Sequence, residues 1–191
     1  DWFAFAIANR LVQNDTNAAA LEIRSPIALQ TDDRCVVALT GAGADFRIDG
    51  RAMPVWTSVF VRAGSIIEIK PRRAGGWLYL AIHGGVDVPC ILGSRSTYAR
   101  AGLGRELEAG DQLPIGAPID DDLVTLAGRI ASDDDRSFAA RHSSVRVILG
   151  PHHDWFTQAA IDALTSTEYA LTDVADRMGY RLTGLKLDCV R

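Results

Sequence analysis

The chain has 191 residues, with 20 Lys and Arg against 24 Asp and Glu, a net charge of −4 and a sequence pI of about 5.5. With 48% hydrophobic and 23% charged residues it has a globular composition, which excludes wholesale disorder and a collagen-like rod. The acidic balance argues against wrapping a nucleic-acid backbone, which asks for a concentrated positive surface. No apolar run approaches the ~20 residues of a membrane-spanning helix.

At about 150 residues per domain, the length predicts one large or two small domains, with enough chain to bury a core unaided by disulfides or metal. Cys35, Cys90 and Cys189 occur without a C-x-x-C or Cys/His cluster, so neither a zinc site nor a disulfide framework is expected. The odd count and the absence of a signal sequence predict a cytoplasmic protein with three buried, inert thiols. The chain opens on Asp1 directly in a helical pattern and stops just after a strand-like stretch, so a segment of a longer protein is expected.

Asp1 to Val12 reads as a helix, with Asp1 as cap and Phe3, Ile7 and Leu11 stacked at i, i+4 spacing. Trp2 and Phe5 suggest burial on a second face, and Asn14-Asp15 ends the helix. Strands are predicted at Ala19–Ile23, Cys35–Thr40, Asp45–Ile48, Ser58–Val61, Ile66–Lys70 and Trp77–His83. Turn signals separate them: Thr31-Asp32-Asp33, Gly41-Ala42-Gly43, Asp49-Gly50, Ala63-Gly64 and Ala74-Gly75-Gly76. Gly64 fits a tight hairpin. Short strands with Gly- and Asp-rich turns predict an all-β sandwich or barrel. Gly84 to Gly110 is a glycine-punctuated loop, the kind of segment that carries sites. Residues 120–144, with two Asp triplets, are expected as a linker, with room for a short helical turn in Leu123 to Ile130. A strand at Val145–Leu149, a helix at Asp154–Leu164 and a strand at Glu168–Thr172 follow. Asp154-Trp155-Phe156 repeats Asp1-Trp2-Phe3, either by duplication of a βα unit or by chance.

Two polar clusters stand out. Gly84-Gly85 lets the backbone come close either to a ligand or to another chain segment. Beyond it, Gly93-Ser94-Arg95-Ser96-Thr97 sets a guanidinium among hydroxyls and backbone N–H groups, suited to a carboxylate or phosphate. The same residues allow Arg95 simply to pair with Asp87 while the glycines turn the chain. Asp176-Arg177-Met178-Gly179-Tyr180-Arg181 is either a polar pocket lining or a solvated hairpin. His83 ends a strand and reads as structural. His152-His153 lacks a third ligand in register, so no metal site is expected. Gly41 and Gly43 lack the Lys and Ser/Thr of a phosphate loop. There is no G-x-S-x-G elbow and no H-E-x-x-H helix, so the chain is expected to supply part of a site rather than a complete one.

The run Tyr79-Leu80-Ala81-Ile82-His83-Gly84-Gly85-Val86-Asp87-Val88-Pro89, then Leu92-Gly93-Ser94-Arg95-Ser96-Thr97, Gly104-Arg105 and Gly110-Asp111, resembles the signature of the allophanate hydrolase subunit 2 family. This family is also called KipA-type or biotin-dependent carboxyltransferase-like and includes the C component of 5-oxoprolinase. Ala8-Asn9-Arg10-Leu11-Val12 with Asn14, Thr40-Gly41-Ala42 with Asp49-Gly50, and Val147 to Pro151 with Phe156-Thr157 and Asp176 to Leu182 extend the resemblance along nearly the whole chain.

The resemblance implies a mainly β fold of cyclophilin-like β-barrel halves with a few short helices. The first half would cover 1–119, the linker 120–144, and 145–191 would begin a truncated second half. It implies a cytoplasmic complex with a subunit 1 (KipI-type) protein and a LamB/YcsF-type protein, acting on a small-molecule amide. That complex would use ATP to open 5-oxo-L-proline to L-glutamate through a phosphorylated amide. The alternatives it implies are carboxyl transfer to urea from biotin carried by a partner, and a non-enzymatic role countering a KipI-like kinase inhibitor. The residue types then suggest substrate-binding roles. Arg95, with Ser94 and Ser96, would steady an anionic group, and Asp87 would orient Arg95. Arg177, Tyr180 and Arg181 would face that group from the second half, and Asn9 would bond the substrate amide. No catalytic base is identified. The loop around Ala101 to Glu106 and the stretch after Glu22 are shorter than the family pattern.

Overall fold

The computed structural model describes residues 1–72, 76–117, 122–140, 146–172, 174 and 179–190. By internal contacts the chain forms two units, 1–141 and 142–191.

The first unit opens with helix α1 (Trp2–Leu11), capped by the Asp1 carboxylate, which accepts the Ala4 N–H at 3.0 Å. Ala4, Ile7, Ala8 and Leu11, spaced three and four apart, form its buried face. Trp2 is exposed, so the expected second buried face is absent at that residue. The helix stops in a Schellman arrangement. Asn14 N–H reaches the Asn9 carbonyl at 2.9 Å and Gln13 N–H the Arg10 carbonyl at 3.2 Å, with Gln13 at φ +56°.

Eight strands follow: β1 (Leu21–Ile23), β2 (Ile27–Gln30), β3 (Cys35–Gly41), β4 (Ala44–Ile48), β5 (Arg51–Ala52), β6 (Ser58–Val61), β7 (Ile66–Pro71) and β8 (Leu78–Ile82). They make two antiparallel sheets, ordered β1-β8-β3-β6 and β2-β7-β4-β5. The expectation of cyclophilin-like β-barrel halves is therefore overturned, because neither sheet closes. β1 and β6 remain the edges of one, β2 and β5 of the other. The reason lies in the short connections. Residues 24–26, 42–43 and 62–65 each carry the chain from the first sheet into the second, dealing consecutive strands to two layers rather than around one ring. Ala63-Gly64 is thus a corner between sheets and not the expected hairpin, although Gly64 does adopt φ +77°. The two-residue Asp49-Gly50 turn is a true hairpin. Ile48 pairs with Arg51 across it, and both turn residues have positive φ.

Alternation along the central strands sets the layers. Val37, Leu39, Leu78, Leu80 and Ile82 point into the core between the sheets, with Phe46, Ile48, Ile67 and Ile69 opposite. Val36, Ala38, Tyr79 and Ala81 point the other way, onto α1 and onto helix α2 (Leu123–Leu126). The first sheet is therefore covered on both faces, which is why β8 reads as an unbroken apolar run. The second sheet has a wet face, where Asp45 and Arg47 pair at 3.2 Å. The Thr40 hydroxyl donates to the Ala4 carbonyl at 2.7 Å and ties α1 to β3.

Within the stretch expected as a linker, the Ser58 hydroxyl donates to the Leu126 carbonyl at 2.7 Å, and Ala131 N–H donates to the Trp56 carbonyl at 3.0 Å. Helix α3 (Asp133–Ala140) follows.

In the second unit the expected helix at Asp154–Leu164 divides into a 3-10 turn, His153–Trp155, and helix α4 (Gln158–Ser166). Thr157 caps α4, its hydroxyl accepting the Ala160 N–H at 3.1 Å. The repeated Asp-Trp-Phe triplet therefore caps a helix in the first unit only. The described residues 146–149 form no strand, contrary to expectation; residue 145 lies outside the described residues. β9 (Ala170–Leu171) pairs antiparallel with β10 (Leu182–Thr183).

The thiols also depart from expectation: Cys35 is half-buried, and Cys90 and Cys189 are exposed. Burial pushes the Cys35 thiol up to about 11, so it stays protonated near neutral pH, where the thiol is the unreactive form. Iodoacetamide at pH 8 is expected to label Cys90 in the native protein and Cys35 only after denaturation. Mass spectrometry of tryptic peptides reads this directly, and native labelling of Cys35 at the rate of Cys90 would contradict it.

Candidate functional site

The site region grows from the end of β8. His83 is 3% exposed, and its Nδ1 lies 2.7 Å from the Val12 carbonyl, so Nδ1 carries the proton that bonds this oxygen. The Asn14 amide closes the same corner. Its Nδ2 donates to the Ile82 carbonyl at 2.8 Å and to Asn9 Oδ1 at 3.1 Å, while its Oδ1 accepts the Gly84 N–H at 2.9 Å. Asn9 Nδ2 donates to the Ala18 carbonyl at 2.9 Å. Two asparagines thus satisfy the backbone where the helix, the following loop and β8 meet.

The two readings of Gly84-Gly85 are resolved in favour of a chain segment. Gly84 has φ +91°, and a Cβ placed there would lie 2.3 Å from the Gly116 carbonyl oxygen. A Cβ on Gly116 would lie 2.3 Å from the Gly84 carbonyl oxygen. Gly116 N–H donates to the Gly85 carbonyl at 2.9 Å, and Asp87 N–H to the Pro114 carbonyl at 2.8 Å. The start and end of the long loop are zipped together, so residues 87–113 project as one excursion from a rigid base.

Arg95 lies on that excursion. Its Nε donates to the Val88 carbonyl at 2.8 Å and its Nη2 to Asp87 Oδ1 at 3.0 Å, while its side chain remains 43% exposed. Nη1 has no bond among the described residues. Ile91 and Ser94 exchange backbone bonds of 2.8 and 3.0 Å around Leu92 and Gly93, both at positive φ. This tight turn lifts Leu92 to 93% exposure. Ser94 Oγ accepts the Ser96 N–H at 3.0 Å. Asp87, Ser94, Arg95 and Ser96 are therefore brought together. Asn9 is not among them, because it is 0% exposed and its amide is committed to Ala18 and Asn14. In the second unit Tyr180 and Arg181 are exposed. Arg177 lies outside the described residues.

Further along, Arg105 grips Asp111 with two bonds of 2.7 and 2.6 Å, and Glu108 N–H adds a third at 2.7 Å. The Arg105 guanidinium, then that N–H, hold the Asp111 carboxyl down to about 2. A depressed carboxyl contributes fully above its ordinary value of ~3.9 and loses that contribution as pH falls through the folded value. Amide-exchange protection of Glu108 is expected to be level from pH 7 to 5 and to fall between about pH 4 and 2. Asp111→Asn should lack the step, and an unchanged profile in that variant would refute the clamp.

Of the residues that shape this region, Asn14 and Gly116 had no role assigned from sequence. Asn14 reads only as a helix end, and Gly116 sits in an unpatterned stretch. Their signal is geometric, since each meets a partner far along the chain.

The glycines do not make a nucleotide cradle. A Cβ on Gly41 would lie 2.2 Å from the Trp77 carbonyl oxygen, and the Ala42 N–H donates to that same oxygen at 2.9 Å, so chain fills the space a phosphate would need. Among the described residues no group of three His, Cys, Asp or Glu is placed to hold a metal ion, and no helix is long and apolar enough to cross a membrane.

The first unit is thus a two-sheet domain backed by α1, with an arginine-bearing excursion at the end of β8. The family model "Carboxyltransferase domain, subdomain A and B" matches residues 1–189, and the chain belongs to that family. It is 37% identical over 193 residues to the C component of the 5-oxoprolinase of Escherichia coli, covering 96% of this chain and 58% of that protein. It is 30% identical over 198 residues to the urea amidolyase of Saccharomyces cerevisiae, covering 97% of this chain and 11% of that protein. The crystal structure of the K. lactis urea amidolyase superposes with a TM-score of 0.84 at 28% identity, over 100% of this chain and 12% of that one. The chain therefore spans less than two thirds of each of these proteins. It is homologous to both 5-oxoprolinase and urea carboxylase components, which supports an enzymatic role.

Proposed function

We propose that this chain belongs to a multi-component, ATP-dependent 5-oxoprolinase that opens 5-oxo-L-proline to L-glutamate in the cytoplasm. The observation that carries the reading is the 37% identity to a 5-oxoprolinase component across 96% of the chain, against 30% to urea amidolyase. Its companions in this reading are a subunit 1 (KipI-type) protein and a LamB/YcsF-type protein. With chain filling the space at Gly41 and Gly84, the reading assigns no ATP-binding step to this unit.

The substrate is a small cyclic amide with a carboxylate. Asp87 holds Arg95 from one side, leaving Nη1 for that carboxylate, with the Ser94 and Ser96 hydroxyls as further donors. Arg177, Tyr180 and Arg181 are further anion-binding groups. Asn9 acts indirectly, by fixing the loop that meets β8. A charge-assisted hydrogen bond of this kind contributes about 1.5–3 kcal/mol. Arg95→Ala is therefore expected to lower kcat/KM roughly 10- to 100-fold, with Asp87→Asn intermediate.

The test is reconstitution of the full-length protein with its two companions. 5-Oxoproline-dependent ATP hydrolysis and glutamate release would be followed with each component omitted in turn. Glutamate release that stops when this protein is left out supports the reading, and unchanged turnover in Arg95→Ala removes the role of Arg95. A second reading is transfer of a carboxyl group from biotin on a partner to urea or a similar amide, favoured by the 0.84 TM-score to urea amidolyase. A stable complex that turns over no lactam but carboxylates urea in the presence of a biotinylated partner would establish it.

A further inference from the structure

A separate groove of about 410 Å³ opens on the helical side of the first unit, between α1 and the segment leading into α3. It shares no residue with the arginine-bearing excursion. Its walls include Ile7 and Leu11 from α1 and Ile130, which is 63% exposed. Arg10, Arg129 and Asp135 bring charge to it from three different elements.

Arg10 stands on the last turn of α1. Arg129 is fastened by its backbone alone: its N–H donates to Ser58 Oγ at 2.9 Å, and its carbonyl accepts the Ser58 N–H at 2.9 Å. Its guanidinium makes no hydrogen bond or ion pair among the described residues. Asp135 is half-buried, and its carboxylate accepts the Ser132 hydroxyl at 2.8 Å. Neither arginine has an ion-pair partner among the described residues. Two exposed arginines with no ion-pair partner among the described residues and one half-buried carboxylate thus line a groove with apolar walls. The volume lies within the roughly 300–1,000 Å³ usual for small-ligand sites.

We propose that this groove binds a small amino dicarboxylate. Two carboxylates answer Arg10 and Arg129, an ammonium answers Asp135, and the connecting methylenes lie against Ile7, Leu11 and Ile130. The charge pattern carries this inference, which does not depend on the reaction proposed above.

The experiment is calorimetric titration of the full chain with L-glutamate as probe, and with glutarate, which has both carboxylates and no ammonium. Saturable L-glutamate binding with a Kd on the order of 1 mM is expected. Glutarate should bind several-fold more weakly. Arg129→Gln and Arg10→Gln should each weaken L-glutamate about tenfold without lowering Tm. Asp135→Asn should weaken L-glutamate but leave glutarate unchanged or tighter, a reversal that general loss of structure would not produce. Absence of saturable L-glutamate binding, or equal affinity in a stably folded Arg129→Gln variant, overturns the proposal. So does an Asp135→Asn variant that weakens both probes alike.

Discussion

Gly84→Ala is expected to destabilise the protein by more than about 3 kcal/mol, in the range reserved for severe backbone damage. Two costs combine. The residue sits at φ +91°, where an L side chain costs roughly 1–2 kcal/mol. The new Cβ also meets a carbonyl oxygen at 2.3 Å, and that oxygen belongs to Gly116, a backbone atom with no rotamer to swing aside. Relief requires the two ends of the excursion to part, breaking the Gly116–Gly85 and Asp87–Pro114 hydrogen bonds. Gly93→Ala is the control. It has a similar φ of +80° but no heavy atom within 4 Å of its would-be Cβ, so only the conformational cost of about 1–2 kcal/mol applies. Urea denaturation of both variants reads the difference. Equal losses would mean that the close approach contributes nothing.

Asn14→Ala is expected to cost about 3 kcal/mol, more than a surface polar substitution by a wide margin. One side chain serves the Ile82 carbonyl, the Gly84 N–H and the Asn9 amide, all in a corner where Asn14 is only 9% exposed. Truncation leaves buried backbone groups unpaired, at roughly 1–3 kcal/mol each. Asn9 belongs to the same network, so the Asn9→Ala, Asn14→Ala double variant should lose less than the sum of the single variants, by about 1 kcal/mol. Strict additivity would show that the two amides act independently. Because Gly84 lies in the base of the excursion that carries Arg95, both substitutions should also depress turnover in the reconstituted complex.

These two positions show what kind of information the chain order hides. Asn9 suggests a binding role by residue type alone, as an amide able to bond a substrate amide. Its environment assigns it to Ala18 and Asn14 instead. Asp87 and Arg95 were legible as a pair because they lie on one short loop, where sequence distance limits spatial distance. Arg10 and Arg129 were not legible as neighbours, since nothing local to either residue reports the other. The corner at Gly64 misled for a similar reason: its conformation was readable, but which sheet receives the next strand was not.

The sequence by itself determined the helix from Asp1, the positions of β3, β4, β6, β7 and β8 to within a residue or so, the turn at Asp49-Gly50, and the carboxyltransferase-like family to which the chain belongs. Local sterics, apolar periodicity and contiguous motifs are all written along the chain. Only the tertiary structure decided that the strands divide between two open sheets. It likewise gave the short strands β2 and β5 their partners and filled the space around Gly84 with Gly116 rather than a ligand. Alternation records which side chains are buried. It does not record what they are buried against, and that depends on contacts between residues far apart in the chain.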